Sequence, residues 1–268
     1  TDTSIRINSI GCPVCRSRYN EILKEFLHPQ LDSLCRLCND RFDKNPLRII
    51  DCKEPKCKTI TVNAPFLTDN LCPECKVHFE GLQEELKSLD IGFEIDRYIV
   101  RGLDYYTKTV FEFISDNVGT QGTICGGGRY DGLIEQFGGI STPGIGFAMG
   151  IERLRMELDA SSVDYAYDEK ESIYFAFADE NGRKMAAKLC MELRKSGIKA
   201  DMDVCERSLK AQMKYAGKCG YNYTCVLGEN EAASGNIKFK DMKSGNEINS
   251  DINNVINLKY DNRGRILW

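Results

Sequence analysis

Four pairs of closely spaced cysteines lie between residues 12 and 75, and they constrain the fold of this part of the chain most strongly. Two thiolates that are close together in a tight turn can face one ion, and two such pairs complete a tetrahedral site. The spacing predicts structural Zn²⁺, either two ions or one ion that uses only two of the pairs. The pairs are Cys12 and Cys15, Cys35 and Cys38, Cys52 and Cys57, and Cys72 and Cys75.

The alternative interpretation is that these cysteines stay reduced and partly buried as small apolar side chains. Metal binding is favoured over a secreted disulfide scaffold, because such scaffolds are short and rich in loops, whereas this chain has 268 residues and long helical patterns. The spacing does not determine which pair joins which. We expect ordinary buried or surface roles for the cysteines outside the cluster: Cys125, Cys190, Cys205, Cys219 and Cys225.

Hydrophobic periodicity divides the first part of the chain. Residues 1–11 alternate like a strand, and residues 12–90 carry apolar residues at the three- and four-residue spacing that is typical of helices. From residue 91 the period becomes two, in IGFEIDRYIV and TKTVFEFIS, which predicts antiparallel strands. The glycine-rich region that follows predicts a buried strand running into a helix that begins near Met149.

The rest of the chain has a different pattern. Residues 160–170 are polar and unpatterned, which predicts a linker, and in residues 171–268 strand and helix patterns alternate. This alternation predicts an α/β domain with a mainly parallel sheet, with Gly197 and Gly220 where helices end. The predicted fold class is α+β: a core strand in 1–11, a helical Cys-rich insertion in 12–90, a second core segment in 91–159, the linker, and the α/β domain.

The overall charge does not point to a nucleic-acid partner. The formal net charge is −4, so RNA binding would need a local basic patch. Arg207, Lys210, Lys214 and Lys218 supply one, because the lysines recur every four residues on a predicted helix. A solvated helix face is the alternative. Apolar runs are too short to span a bilayer, and we expect a cytoplasmic protein without a membrane partner.

The segment RGLDYYTKTVFEF places an arginine, an acid and two tyrosines at the start of a predicted strand. Arg101 has a permanent charge that forks onto carboxylates or phosphates. Tyr105 and Tyr106 offer flat apolar walls, each with a hydroxyl that can fix a polar ligand. On spacing alone, an exposed arginine beside half-buried tyrosines is the simpler interpretation.

Two glycine-rich segments follow. In GGGRYDGL, which contains Gly127 and Tyr130, the glycines let the backbone pass close to a ligand, or they form a tight connection from strand to helix. This segment lacks the lysine of a Walker phosphate loop. GIGFAMGIERL places Gly150 and Arg153 at the start of a helix, and an ordinary amphipathic helix start is the alternative there.

Together and in this order, the three segments resemble histidyl-tRNA synthetase, a class II aminoacyl-tRNA synthetase. The first two are similar to the family's histidine-specific motifs, and the third is similar to class II motif 3. The segment RSLKAQMKYAGKCGYNYTCVLG is similar to the family's anticodon-binding domain, and INSIG and NPLRIIDCK extend the resemblance over nearly the whole chain. The resemblance implies part of a class II antiparallel sheet with a helical Cys-rich insertion, followed by an α/β anticodon-binding domain.

The resemblance also implies roles for individual residues. Arg101 would stabilise negative charge at the α-phosphate while the carboxylate of histidine attacks ATP. The positions that match histidine contacts are Tyr105, Tyr106, Tyr130 and Gly127. Those that match ATP contacts are Gly150 and Arg153. In the domain similar to the anticodon-binding domain, we expect tRNA contacts from Arg207, Lys210 and Lys214.

The implied activity is that of a histidine–tRNA ligase, in which L-histidine and ATP with Mg²⁺ give histidyl-adenylate and then histidyl-tRNA(His). The resemblance implies a homodimer for the full-length protein. Motifs 1 and 2 would precede residue 1, so we expect a C-terminal part that is inactive by itself. Two alternatives stay open: a regulatory paralogue that controls histidine biosynthesis without charging tRNA, and a zinc-stabilised RNA-binding module.

Overall fold

Two separate sheets organise the chain, one in each of the units Thr1–Tyr165 and Ala166–Trp268. The computed structural model describes residues 3–100, 105–162 and 170–268. The division between the units falls inside the predicted linker of residues 160–170. Each unit has its own buried apolar cluster, as expected of a domain that folds around its own core.

Five strands form the sheet of the first unit: β1 (Thr3–Gly11), β2 (Glu94–Ile95), β3 (Thr107–Ser115), β4 (Thr123–Arg129) and β5 (Ile145–Met149). Their order is β2-β1-β3-β4-β5. All neighbouring strands are antiparallel except the short β2, which runs parallel to β1. The predicted antiparallel core is confirmed, and β3 has the bounds of the predicted strand TKTVFEFIS.

Two strand predictions in this sheet are wrong. The strand expected over residues 91–100 is reduced to the two residues of β2. The carboxylate of Asp96 accepts a hydrogen bond from the backbone N–H of Tyr98 at 3.0 Å, and this local turn interrupts the extended pattern. β5 is exposed instead of buried, with Phe147 63% exposed, because it lies at the edge of the sheet among the described strands.

The segment between β1 and β2 is helical, as predicted. Pro13, Pro55 and Pro73 begin three of its helices, where the fixed proline φ suits the first helical position. The helices of the first unit are α1 (Pro13–Leu27), α2 (Arg36–Lys44), α3 (Leu47–Ile50), α4 (Pro55–Thr61), α5 (Pro73–Ser88), α6 (Leu133–Gln136) and α7 (Ile151–Ala160). Short 3₁₀ segments are His28–Ser33, Leu67–Asn70 and Asp116–Gln121.

The core of this helical insertion is small. α1 presents Tyr19, Leu23 and Leu27 at four-residue spacing to one side, and all three are buried. Ile49 and several cysteines complete the same cluster. Because α2, α3 and α4 have between four and nine residues, packing and not intrinsic helix propensity has to hold them.

The second unit contains a mixed sheet of five strands in the order β10-β9-β8-β6-β7. Its strands are β6 (Ser172–Phe177), β7 (Lys199–Met202), β8 (Tyr223–Leu227), β9 (Asn236–Asp241) and β10 (Glu247–Asp251), and a separate two-stranded sheet joins β11 (Lys259–Tyr260) and β12 (Ile266–Leu267). Its helices are α8 (Glu180–Lys195), α9 (Leu209–Cys219), α10 (Glu229–Ser234) and α11 (Ile252–Val255).

The predicted strand–helix alternation of this unit is confirmed, but its mainly parallel sheet is not. β6 is parallel to β7 and β8, whereas β8–β9 and β9–β10 are antiparallel. The turn between β9 and β10 is too short for the crossover that a parallel pair needs. Gly220 ends α9 with a φ of 75°, as predicted for a left-handed helix end.

Candidate functional site

A groove lies on one face of the first sheet. Residues in register on neighbouring strands project to the same face. One such row crosses the sheet through Arg6 on β1, Glu112 on β3, Gly126 on β4 and Ala148 on β5. All four line the groove, whose volume is about 1010 Å³. Because β4 and β5 contribute only glycine and alanine, Arg6 and Glu112 are the charged groups that project from this row.

The start of α7 forms a wall of the groove. Gly150 caps this helix, and its N–H donates to the carbonyl of Ile124 on β4 at 3.0 Å. Arg153, in the first turn, donates from Nη1 to the carbonyl of Thr123 at 2.6 Å. This bond uses one of the five N–H donors of the guanidinium. The structure therefore brings the two predicted ATP-contacting residues, Gly150 and Arg153, to the same groove.

The helical insertion also lines the groove. Asp51, Lys53 and Lys58 contribute from the region of α4, and Asp51 and Lys53 form an ion pair. The basic residues along the groove are Arg6, Lys53, Lys58 and Arg153. A groove with charges of both signs can hold phosphates at its cations and an ammonium group at its carboxylates. The contribution of the insertion was not predicted from the sequence, because nothing in its spacing relates it to the sheet.

The three predicted tyrosines form one aromatic cluster. The ring centroids of Tyr105 and Tyr106 are 4.6 Å apart, and Tyr130 lies 5.7 Å and 6.3 Å from them in edge-to-face arrangements. The cluster packs with Ile99, which also lines the groove, and with Val110. Sequence positions 105, 106 and 130 are therefore adjacent in space, and their cluster adjoins the groove through Ile99.

The interpretation of the glycine run as a tight connection from strand to helix is wrong, because Gly126, Gly127 and Gly128 lie within strand β4. Successive residues of this strand face opposite sides of the sheet. Gly126 faces the groove, and an added Cβ at Gly128 would lie 2.9 Å from Cδ1 of Tyr106. Gly127 points to the other face, where a Cβ would lie 2.2 Å from the carbonyl oxygen of Gly146. Two of the three glycines thus make room for the site, and Gly127 makes room for β5.

Arg101, for which we predicted the central phosphate contact, lies outside the described residues. Tyr105 follows it closely in the sequence and is in the aromatic cluster. The role of Arg101 stays a prediction.

A charged network that sequence reasoning missed joins α5 to the sheet. Arg129, at the end of β4, donates from Nε to both oxygens of Asp131 at 2.7 and 2.8 Å. Its Nη1 lies 3.3 Å from Nε2 of His78 on α5. A second link is the ion pair of Lys108 on β3 with Glu74 on α5, at 2.8 Å. Residues 78 and 129 are far apart in sequence, so no spacing signal relates them.

Burial and the positive charges of the network favour the neutral form of His78. Burial is the main cause that lowers the pKa of His78, and the positive charges of Arg129 and Lys108 lower it further. A guanidinium can only donate, so Nε2 of His78 accepts the hydrogen bond and the ring proton lies on Nδ1. The hydrogen bond between Arg129 and His78 thus connects the segment that carries Tyr130 to α5.

The eight paired cysteines gather in two quartets. Cys12, Cys15, Cys72 and Cys75 form the first quartet, at the starts of α1 and α5. Within each quartet, all four sulfur atoms lie within 4.8 Å of one another. The second quartet, at the starts of α2 and α4, is Cys35, Cys38, Cys52 and Cys57. The pairing that spacing left open is thereby defined in the structure.

The thiols differ in how readily they ionise. Burial raises the pKa of Cys38 and Cys75. Burial also acts to raise the pKa of Cys12 and Cys35, but hydrogen bonds outweigh this effect and lower the pKa of both thiols to about 7. Among these bonds are one from Cys15 to Cys12 and one from Cys38 to Cys35. In each quartet, the pKa of a thiol at a helix start is thus lowered toward neutral pH. Thiolates are the form in which cysteine binds metals.

In the second unit, the predicted basic stripe lies on α9. Lys210, Lys214 and Lys218 are exposed, and among the described residues none forms an ion pair with them. Arg207 is different: its Nη1 lies 3.2 Å from the carboxylate of buried Asp203, and its guanidinium covers the ring of Tyr215 at 4.5 Å. The free positive charge of this surface therefore comes from the three lysines.

A hollow of about 790 Å³ adjoins β8, β9 and β10 of the same unit. Lys238 and Lys240 line it, although no pattern in the sequence indicated them. Phe239 between them points to the opposite side and is fully buried, packing against Phe175 and Trp268. Phe239 is therefore a core residue and does not stack on a ligand. Strand alternation was the signal that could have separated Phe239 from its neighbours.

No helix in the described parts of the chain combines the length and the apolar character needed to cross a membrane.

Comparisons with known proteins match two parts of the chain to family profiles. Residues 65–154 match "Histidyl-tRNA synthetase", and residues 173–258 match "Anticodon binding domain". Each match lies within one of the two units. The first includes the aromatic cluster, β3, β4, β5 and the start of α7, and therefore most of the described sheet side of the groove.

Whole sequences give the same result. The histidine–tRNA ligase of Acetivibrio thermocellus is 53% identical over 255 residues, which cover 95% of this chain and 61% of that protein. The histidine–tRNA ligase of Clostridioides difficile is 46% identical over 256 residues, again 95% of this chain and 61% of the relative. The chain thus spans about 61% of the length of these curated relatives.

A solved structure agrees with these matches. The crystal structure of apo S. aureus histidyl-tRNA synthetase superposes with a TM-score of 0.50 at 35% identity, covering 96% of this chain and 64% of that one. The sequence matches and the structural match extend over both units. The chain belongs to the histidyl-tRNA synthetase family.

Proposed function

We propose that the complete protein is a histidine–tRNA ligase that works in the cytoplasm. L-Histidine and ATP give histidyl-adenylate and pyrophosphate, and the histidyl group then passes to tRNA(His) with release of AMP. The observation that carries the proposal is the juxtaposition of the tyrosine cluster with a groove lined by Arg153. The family membership of the chain supports it.

The tyrosine cluster is suited to an imidazole ring. Tyr106 and Tyr130 meet edge to face with centroids 6.3 Å apart, and each adds a hydroxyl that can bond a ring nitrogen. Tyr105 completes the wall. The side chain of the substrate histidine would lie against this cluster, with its carboxylate directed to the groove.

The groove is suited to the phosphates of ATP. In the activation step, an oxygen of the histidine carboxylate attacks the α-phosphorus, and the bond to pyrophosphate breaks. Arg153 would hold phosphate oxygens, because its guanidinium is already oriented by the carbonyl of Thr123. Arg101 would stabilise the charge that develops at the α-phosphate.

ATP is used together with Mg²⁺, which neutralises phosphate charge. Carboxylate oxygens are the ligands that Mg²⁺ prefers, and Glu112 projects such a carboxylate into the groove. Its Oε2 accepts a hydrogen bond from Thr123 at 3.2 Å, so the side chain is oriented. Glu112 is therefore the candidate ligand on the strand floor.

The second unit would bind the anticodon region of tRNA(His). The exposed lysines of α9, Lys210 and Lys214, would contact phosphates, which position an RNA without reading its sequence. Lys240 adds a cation beside the hollow on the sheet. Arg207 would contribute only at the edge of this surface, since Asp203 engages its charge. The complete protein would act as a homodimer, as the family resemblance implies.

Histidine-dependent exchange of pyrophosphate into ATP tests the proposal. We would assay this chain alone and the chain joined to the portion of the Acetivibrio thermocellus relative that it does not span. Activity of the joined protein, lost on Tyr130→Ala, is the expected result.

A joined protein that folds but does not catalyse histidine-dependent pyrophosphate exchange contradicts the ligase proposal. If it still binds tRNA(His), it is a zinc-stabilised or regulatory RNA-binding relative that does not charge tRNA. Binding of neither histidine nor tRNA excludes these alternatives as well.

A further inference from the structure

We propose that each cysteine quartet binds one structural Zn²⁺ ion, so that the chain carries two such ions in its helical insertion. The first ion joins Cys12, Cys15, Cys72 and Cys75, and the second joins Cys35, Cys38, Cys52 and Cys57. The inference concerns the architecture of the first unit and does not depend on the proposed ligase activity.

The spacing of the sulfur atoms fits tetrahedral coordination. With Zn–S bonds of about 2.3 Å, ligand sulfurs stand roughly 3.8 Å apart. The Sγ atoms of Cys12 and Cys15 are 3.6 Å apart, and those of Cys35 and Cys52 are 3.9 Å apart. A disulfide needs a sulfur separation of about 2.05 Å, and all thirteen cysteines are free thiols. The sulfurs are thus at the separation that a shared ion requires.

Helix starts present the ligands in a repeated way. Cys12, Cys35 and Cys72 each occupy the N-cap position of a helix, and the next cysteine follows three residues later, in the first turn. Backbone N–H groups at a helix start point outward and favour negative charge. The N–H of Cys38 accordingly donates to Sγ of Cys35 at 3.4 Å. The repeated geometry places two sulfurs of a pair side by side at each of these three helix starts.

Backbone hydrogen bonds also join the two halves of each quartet. The N–H of Cys72 donates to Sγ of Cys15 at 3.1 Å, and the N–H of Cys35 donates to Sγ of Cys57 at 3.3 Å. Such bonds from outside the ligand shell orient the ligands in metal sites. They connect residues that are far apart in sequence, so the quartets are built into the fold and do not result from one flexible loop.

The backbone approaches the first quartet closely at Gly11. Gly11, the last residue of β1, has a φ of 63°, which favours glycine. A Cβ atom there would lie 2.5 Å from Cβ of Cys15 and 3.3 Å from its sulfur. The close approach of the strand end to Cys15 places this sulfur beside its three partners.

The second quartet has basic surroundings. A Zn²⁺ ion with four thiolates carries a net charge of −2, which neighbouring cations stabilise. A hollow of about 470 Å³ beside Cys35 and Cys52 is lined by two acidic residues, Asp51 and Glu54, and by a larger group of basic residues: Arg36, Arg41, Arg48 and Lys53. The positive charge around this quartet offsets the negative charge of the complex.

The alternative, in which the cysteines act only as small apolar side chains, explains the burial of Cys38, Cys52 and Cys57 but not the convergence of the sulfurs. It also leaves short helices around a small core without the cross-link that small domains usually need. Four thiolates at tetrahedral spacing fit zinc in a closed structural site, and because iron can bind the same ligand set, metal analysis distinguishes the two.

Metal content and pairing can be measured on this chain directly. Elemental analysis and native mass spectrometry of the purified chain, under reducing conditions and after exposure to a weak chelator, should give two zinc ions per chain. Replacement by Co²⁺ should give the thiolate charge-transfer bands and the visible bands of tetrahedral cobalt. This second readout uses the unaltered chain, so it does not depend on whether variants fold.

Double variants test the pairing. Cys12→Ser with Cys72→Ser should leave one ion, because both changes fall in one quartet. Cys12→Ser with Cys35→Ser should leave none. Cys205→Ser with Cys219→Ser, at two exposed cysteines outside the quartets, should leave two.

A folded unaltered chain that lacks stoichiometric metal and takes up no cobalt overturns the proposal. Iron in place of zinc contradicts the metal assignment. Loss of both ions in the first variant, or retention of one in the second, contradicts the pairing.

Discussion

The ring of Tyr130 occupies the space that a side chain at residue 146 would fill: a Cβ atom at Gly146 would lie 2.7 Å from the hydroxyl oxygen of Tyr130. At Gly144 the corresponding distance to Cε2 of the same ring is 2.5 Å. The glycines before α7 therefore act as the surface on which Tyr130 lies. The ring cannot keep its position if either glycine gains a side chain.

Gly146→Ala should displace Tyr130 and destabilise the first unit. Overpacking at a fixed backbone costs about 1–3 kcal/mol, and we expect a loss of this size in the free energy of unfolding measured with urea. In the joined protein, KM for histidine should rise more than KM for ATP. The control is Gly132→Ala, because the nearest atom to a Cβ there is 4.0 Å away, at the end of a flexible glutamine. Equal effects of the two changes would contradict the packing argument.

Arg153→Gln should impair the joined protein at the activation step. The substitution removes a charged fork that the carbonyl of Thr123 orients toward the groove. Loss of one oriented donor typically lowers kcat by about 100-fold or more, and pyrophosphate exchange should fall by this order. Arg155→Gln is the matched control, since Arg155 is exposed on the same helix and pairs with Asp159. If Arg153→Gln catalyses pyrophosphate exchange at the wild-type rate, the groove is not the ATP site.

Glu157 should make the first unit sensitive to acid. Its buried carboxylate accepts hydrogen bonds from Ser115, Asn117 and Ser161, of which the bond from Ser115 lowers its pKa most. Because the folded-state pKa is lowered, this contribution to stability is complete above the ordinary value of 4.5 and is lost as pH falls through the folded pKa.

Glu157→Gln should therefore flatten the decrease of stability below pH 4.5, as measured by urea unfolding at several pH values. Glu152→Gln, at an exposed position earlier on the same helix, serves as the control. If the stability of Glu157→Gln falls with pH as that of the wild type does, Glu157 is not the cause of the acid sensitivity.

Removal of metal should destabilise the first unit selectively. Trp268 is the only tryptophan and packs on Tyr223 and Phe239 in the second unit, so its fluorescence reports that unit alone. Structural zinc contributes several kcal/mol to folding, and each kcal/mol moves Tm by about 2–4 °C in a unit of this size. With a strong chelator, the melting transition followed by circular dichroism should split and its first part should fall by about 10 °C or more. An unchanged early transition would contradict a structural role for the quartets.

Lys214→Ala should weaken tRNA binding and reduce its salt dependence. Each phosphate contact that is lost lowers the slope of log affinity against log salt by about 1. Lys188→Ala, at an exposed lysine of α8, is the control and should leave the slope unchanged. Filter binding of tRNA(His) at several salt concentrations measures both. Identical slopes for the two variants would indicate that α9 does not contact the RNA.

Sequence periodicity located the long elements well because their burial is one-sided. β3 was predicted to the residue, since strand alternation is visible in it. The wrong predictions lie where local turns or contacts between distant segments determine the structure. Residues 91–100 alternate like a strand, but Asp96 forms a turn, and the pattern alone does not show this.

The candidate site was predictable in its residue types but not in its arrangement. The tyrosines and Arg153 were found because their motifs resemble a known family. The pairing of the cysteines, and the contact between His78 and Arg129, depend on how distant segments meet. Gly127 shows a further limit, because strand register decides that its neighbours Gly126 and Gly128 face the site instead.

The close approach at Gly11 has a consequence for the alignment of β1. This strand carries Arg6, opposite Glu112 on the groove floor, and it ends at Gly11 beside Cys15. A slip of one residue would turn Arg6 to the other face of the sheet. The same slip would withdraw Cys12 from its quartet. The first quartet therefore acts as a check on strand alignment, because only the register that builds the groove also brings its four sulfurs together.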